Sequence, residues 1–483
     1  MTKKLLSLLL VLAMIVTSGA LLTSCGEDTG GTGNGKGEAT DDTFYDQMAD
    51  KTIRVWGAFG EDYWESFKRD YPDIELDHAT SSDNSLANLA AFIKAGNQPD
   101  MFYTSNAAQA PLGEAVNKSL VQPLDEYFDG RDPLYTKQDL PTWYDKFVTF
   151  PDEQGTDHIY GVYTDVSVAC LVWNKRLFEA EGLDPNTPPK TWKEMKEVSD
   201  KLTKKDANGM ITQAGFIEYR WWFQHWRLTF GTTYQSHLGK VDVNTPEFAS
   251  VLNYLKSFPE SYGGEDKLDR NTISWDNNNV GLTVQDVGYG QALGKDFPVG
   301  VAPMPYNDDP QFGLTDTTIS GYAWQWYGIP VGCKNKDGGW LFSRWAVTKG
   351  SMYVQERDAN ANPEKWNPVY LVHKPTKEYI FNKYLDRTRS DVKENLETRE
   401  EIFDKITLDQ PVNAPINTDF VNVILEKTCG EIVNGDITVA DGLAKIQQGG
   451  DKLYSMYEKR VEKAKDEDAA TTPADNGAEA PAE

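Results

Sequence analysis

LVWNKRLFEAEGLDPNTPPKTWKEMKEVSDKL, residues Leu171–Leu202, joins an apolar run to an amphipathic helix, and its reading decides the fold. The run begins upstream at Val166 and is almost wholly apolar through Trp173. That is the pattern of a strand buried on both faces of a sheet. Thr191-Trp192-Lys193-Glu194 is a capping box, which opens a helix with Met195, Val198 and Leu202 on its inner side. The same alternation recurs outward in both directions. Ile53–Trp56, Pro99–Tyr103, Ala214–Ile217, Gly281–Val284 and Ala323–Val331 read as strands, and Leu86, Leu89, Ala90 and Ile93 share one helical face. Phe420–Ile432 and Val439 to about Val461 read as helices. The expected fold class is α/β, with open, mostly parallel sheets and a ligand crevice at the carboxyl ends of the strands.

The chain has 483 residues, more than one compact core organises, and 39% apolar with 12% aromatic residues is ample for real cores. A net charge of −26 disfavours nucleic acid, whose phosphates need clustered Lys and Arg. Four cysteines are too few for a disulfide framework and lack zinc-site spacing. No metal and no cofactor is expected. Gly30–Gly37 mimics a phosphate loop, but no Ser or Thr follows Lys36 and no strand precedes it.

Residues 1–24 read as a secretory signal, with Lys3 and Lys4 before a short apolar run. The run is too short for a bilayer, which needs about 20 apolar residues. Leu22-Thr23-Ser24-Cys25 resembles a lipobox, whose cysteine thiol receives a diacylglycerol, with palmitate-type acyl chains. Residues 25–50 read as a flexible linker and 466–483 as a disordered acidic tail. Lipid anchorage on the outer face of a bacterial membrane is the expected location. Cys170, Cys333 and Cys429 then allow one disulfide, with nothing selecting its pair.

Several stretches together resemble the extracellular solute-binding proteins of carbohydrate ABC transporters. They are TIRVWGAFGEDYWESFKRDYPDIEL, LANLAAFIKAGNQPDMFY, the Tyr160–Thr203 block, VGLTVQDVGYG, VGVAPMP, YGIPVGCKNKDGG and ITVADGLAKIQQ, in family order from Thr52 to Lys459. Where the family has Gly-Trp after the Gly281–Gln285 strand, this chain has Asp286, Val287, Gly288 and Tyr289. The resemblance implies a two-lobed, periplasmic-binding-protein-like type II fold, with ligand between hinged lobes. Residues 51–162 plus 305–355 would form the N-terminal lobe, and 163–304 plus 356–465 the C-terminal lobe. The implied function is delivery of an oligosaccharide to a membrane permease by a monomer. A secreted glycoside-active enzyme and a surface glycan-adhesion protein are the competing classes. The chain has no His-Glu-x-x-His and no Gly-x-Ser-x-Gly, its five histidines are scattered, and it lacks internal repeats.

Sugars offer apolar faces to aromatic rings and hydroxyls to Asp, Glu, Asn or Arg. Most of the 14 tryptophans read as core: Trp64, Trp192, Trp340 and Trp345 sit at core spacing in amphipathic helices, Trp173 lies in the buried strand, and Trp226 favours the core over the cleft. Trp221 and Trp222 instead follow the Ala214–Ile217 strand, where a parallel sheet presents its cleft, with Arg220 beside them. The other candidates follow strand ends or crossings: Phe59, Glu61, Asp62, Asn106, Tyr163, Asp165, Asp286, Tyr289 and Tyr322.

Overall fold

The computed structural model describes residues 42–57, 59–79, 84–105, 112–152, 155–164, 166–219, 223–236, 239–286, 297–323, 325–363, 366, 371–387, 390–409 and 416–471. Cys25, Asn106, Asp165, Arg220, Trp221, Trp222 and Tyr289 lie outside them, as do the expected signal and residues 472–483. The strands are β1 (Thr52–Trp56), β2 (Glu75–Ala79), β3 (Met101–Ser105), β4 (Thr149–Pro151), β5 (Asp157–Ile159), β6 (Ser167–Asn174), β7 (Lys204–Lys205), β8 (Ile211–Phe216), β9 (Val280–Asp286), β10 (Val299–Pro303), β11 (Ile319–Tyr322), β12 (Gln325–Gly328) and β13 (Ile406–Asp409).

The first lobe is built on a sheet of order β12-β3-β1-β2. β1, β2 and β3 run parallel, and β12 runs antiparallel to β3. The second lobe is built on the order β13-β11-β6-β9-β8-β7, with β10 also on β6. All eight residues of β6 are buried, as the apolar run implied. The sheet is mixed, which corrects the expectation of a mostly parallel one. β6 is antiparallel to β9, β10 and β11, because it enters from the first lobe at the end where β9 and β11 finish.

The Trp192–Leu202 helix forms as its capping box dictates, with Trp192, Met195 and Leu202 buried. It lies so close to β8 that a Cβ on Gly215 would sit 2.0 Å from the Ser199 carbonyl oxygen. Only glycine permits that approach. Trp64, Trp173, Trp226, Trp340 and Trp345 are all core residues, as expected.

The chain changes lobes where strand pairing changes. Tyr160–Val166 carries it from the β4–β5 hairpin into β6. The expected return near residue 305 instead falls between Tyr322 and Gln325, since β11 still pairs with β6 while β12 pairs with β3. Helix Ser351–Ala361 then packs on helix Lys374–Tyr384, with a separate small cluster of Ala359, Trp366, Leu371, Ile380 and Tyr384. The second sheet is regained at helix Ser390–Asp404, which lies on β10 and β11. The crossings are tied together: Val162 and Tyr327 exchange backbone hydrogen bonds of 3.0 and 2.9 Å, and Val372 N–H donates to Thr164 O.

Two further expectations change. The end of the linker is structured: Asp42, Phe44 and Met48 are buried, and Thr43–Gln47 is helical. The final helix runs from Val439 to Thr471, past the expected end of the lobe at 465. Cys170, Cys333 and Cys429 are free thiols.

Candidate functional site

In both lobes the parallel strands end toward the crossings. β12 starts just after a crossing and is antiparallel to β3, so Ser105, the last residue of β3, lies opposite Gln325. β6 starts just after another crossing, and Asp286 at the end of β9 lies opposite Ala169, with Tyr322 at the end of β11 opposite Ser167. Loops at such strand ends are where open α/β sheets bind ligands. In sequence, Asn106, Trp221, Trp222 and Tyr289 come after β3, β8 and β9.

On the first lobe this end is aromatic. Phe59, half-buried, stacks on Tyr63 with centroids 5.0 Å apart and planes 9° apart. Its ring also meets Tyr103 at 4.8 Å and Tyr327 at 6.2 Å. Glu61 and Asp62 open helix Glu61–Asp70, where acidic side chains complement the helix dipole. Glu61 is exposed. Asp62 is engaged by Arg357 Nη1 at 2.8 Å, from helix Ser351–Ala361.

On the second lobe the same end is polar and ionisable. The Tyr322 hydroxyl donates to Asp286 Oδ2 at 2.9 Å, across the start of β6. Tyr322 is buried, and burial with the neighbouring carboxylate raises its hydroxyl pKa. His225 meets the Tyr322 ring edge-on at 5.4 Å, and burial lowers its pKa to about 3, so it is neutral. Tyr163, a candidate expected in the crossing, is fully buried there, and its backbone N–H donates to the Tyr144 hydroxyl at 2.8 Å. The structure therefore brings Asp286 and Tyr322 together, gathers Phe59 into a ring cluster, and sets Tyr163 into the crossing.

Sequence reading missed Glu218, two residues beyond β8 and three before Trp221. The residue is 9% exposed, and its buried Oε2 has no hydrogen-bond partner. Burial raises its pKa to about 7, against partial relief from Thr283 and Arg270. A buried, half-satisfied carboxyl at a strand end is the kind of group that marks functional sites. The sequence signal was an acidic residue immediately before the aromatic run, and nothing local told it from exposed acids. No cluster of three His, Cys, Asp or Glu side chains suits a metal among the described residues, nor is any helix there long and apolar enough to cross a membrane.

Comparison with known proteins follows this geometry. The sugar-binding protein MalE of Xanthomonas citri matches the structure with TM-score 0.63 at 15% identity, covering 85% of this chain and 99% of that one. The substrate-binding protein Lmo0181 of Listeria monocytogenes, in complex with cycloalternan, matches with TM-score 0.60 at 18% identity, covering 83% and 99%. The fold is thus the two-lobed type II fold. In sequence, the sn-glycerol-3-phosphate-binding periplasmic protein UgpB of Salmonella typhimurium is 25% identical over 285 residues, 53% of this chain. The chain spans 59% of that relative's length. Residues 33–353 match the family model described as bacterial extracellular solute-binding protein, and the chain belongs to that family.

Proposed function

We propose that this protein binds a neutral carbohydrate, an oligosaccharide, between its lobes and passes it to the permease of an ABC transporter. The observation that carries the reading is the pairing of an aromatic strand-end surface on one lobe with hydroxyl and carboxyl groups on the other. Rings suit the apolar faces of a sugar, and Asp286, Tyr322 and Glu218 suit its hydroxyls. Trp221 or Trp222 stacks on the ligand from lobe two, and Tyr289 adds to that platform. Glu61 and Asn106 reach it from lobe one, and Asp165 lies beside the crossing. Contacts from both lobes exist together only when the lobes close, so ligand shifts the population toward the closed form. The protein performs no catalysis, acts as a monomer, and is held to the membrane through a lipid on Cys25.

The ligand in UgpB's name, sn-glycerol 3-phosphate, is a phosphate ester. Arg357 and Arg270 are engaged with Asp62 and Glu265. Acidic side chains at both ends oppose a dianion. A thermal-shift panel on residues 26–483 tests the reading with mannotriose, maltotriose, cycloalternan and sn-glycerol 3-phosphate. Ligand that binds only the folded state raises the melting temperature by mass action. A shift with an oligosaccharide alone is expected. A shift with the phosphate ester alone, or release of shorter sugars during incubation, overturns it.

A further inference from the structure

We infer that residues 42–48 form a strap docked on lobe one by the ion triad Asp42–Arg344–Asp132, which makes lobe one the lobe that carries everything preceding residue 42. The strap's helix, Thr43–Gln47, has five residues. Helices that short do not persist in water on their own, so its shape comes from docking. Arg344 lies in helix Lys336–Trp345, with its side chain 3% exposed, and its Nη2 bonds Asp42 Oδ2, 302 residues away in sequence. The same guanidinium reaches Asp132 through Nε at 3.1 Å and Nη1 at 3.3 Å.

Each carboxylate is satisfied further. Asp42 accepts the Tyr71 hydroxyl at 2.8 Å, and its Oδ1 caps the strap helix through Tyr45 N–H at 3.1 Å. Asp132 accepts Trp340 Nε1 at 2.7 Å and Leu134 N–H at 3.0 Å. Asp42 is thus helix cap and buried ion at once, so undocking would break both roles together. Phe44 and Met48 seal the site, with the Phe44 ring edge-on to Tyr127 at 5.9 Å. Asn335 Nδ2 holds Asp50 O at 3.1 Å, passing the chain from strap to β1. Every one of these partners belongs to lobe one. Whatever precedes residue 42 therefore joins the protein at lobe one. The inference needs neither a bound ligand nor the carbohydrate reading.

Hydrogen–deuterium exchange on residues 26–483 tests it. The amides of Tyr45, Asp46 and Met48 donate to Asp42 Oδ1, Asp42 O and Tyr45 O. In the unmodified protein, the peptide covering 43–48 should be protected within about tenfold of the β1 peptide. Asp42→Asn should speed exchange of that peptide by about a hundredfold while leaving the β6 peptide within about threefold. Should that variant fail to fold, Phe44→Ala, which leaves all three charges in place, is read in the same way. Rapid exchange of 43–48 in the unmodified protein, or unchanged protection in the variant, overturns the inference.

Discussion

Two buried sites, one in each lobe, treat charge in opposite ways. In lobe one, Arg344 faces two carboxylates, and each of those carboxylates has further donors. In lobe two, Glu218 keeps one oxygen without a partner, and burial holds His225 neutral. A matched network fixes structure, whereas an unmatched group beside a strand end is left for something else to complete.

The largest effect should come from the matched side. Arg344→Met leaves Asp42 and Asp132 buried without their shared counter-charge, at a cost of about 3–5 kcal/mol. Denaturant unfolding at neutral pH measures it, and a loss below about 1 kcal/mol, the range of exposed pairs, would break the comparison.

Next come the tryptophans. Trp173 is 4% exposed, donates its Nε1–H to Pro185 O at 2.8 Å, and lies where a Cβ on Gly300 would come within 2.0 Å of its ring. Trp173→Ala should therefore destabilise the ligand-free protein by about 3–5 kcal/mol. Trp221→Ala or Trp222→Ala should instead weaken oligosaccharide binding about thirtyfold to a thousandfold, with little change in ligand-free melting. The reverse outcome, intact affinity with a large stability loss in both variants, would make those rings core.

What could be read from the sequence was what periodicity and local chemistry encode. The buried β6 run, the Thr191–Glu194 capping box and the core tryptophans all stand where their spacing puts them. What could not be read depended on partners distant in the chain. Asp42 looked like linker because Arg344 is 302 residues away. The antiparallel entry of β6 follows from the crossings, which leave no mark on an apolar run. The Asp286–Tyr322 contact joins two strands through their common neighbour, so each residue was a candidate but the pair was invisible. Glu218 was missed altogether, since burial by distant elements is what sets it apart.

Glu218 gives the pH dependence of the unmatched side. Its pKa is raised from 4.5 to about 7, so between these values the folded state holds more proton than the unfolded state. Stability from this group is full below the unfolded value and falls as pH rises toward 7. Glu218→Gln removes that dependence. The variant should match the parent near pH 4.5 and exceed it at pH 8, by on the order of 2–3 kcal/mol. Parallel stability curves for the two proteins would show that the carboxyl is already satisfied, and lobe two would lose its distinction.

The smallest effect separates a surface pair from a ligand contact. Asp62 and Arg357 meet at 2.8 Å with side chains 33% and 35% exposed, so solvent screens them. Asp62→Asn should cost about 0.2–1 kcal/mol, and less as salt is raised. A ligand hydroxyl bound by the carboxylate would add a different signature, because hydrogen bonds to charged groups contribute about 1.5–3 kcal/mol. That is roughly a tenfold to hundredfold loss of affinity. Since Arg357 already occupies one oxygen, the expected result is a salt-dependent stability change with oligosaccharide affinity altered less than about threefold. A larger loss of affinity at unchanged stability would return Asp62 to the site, and lobe one would then supply charge as well as rings.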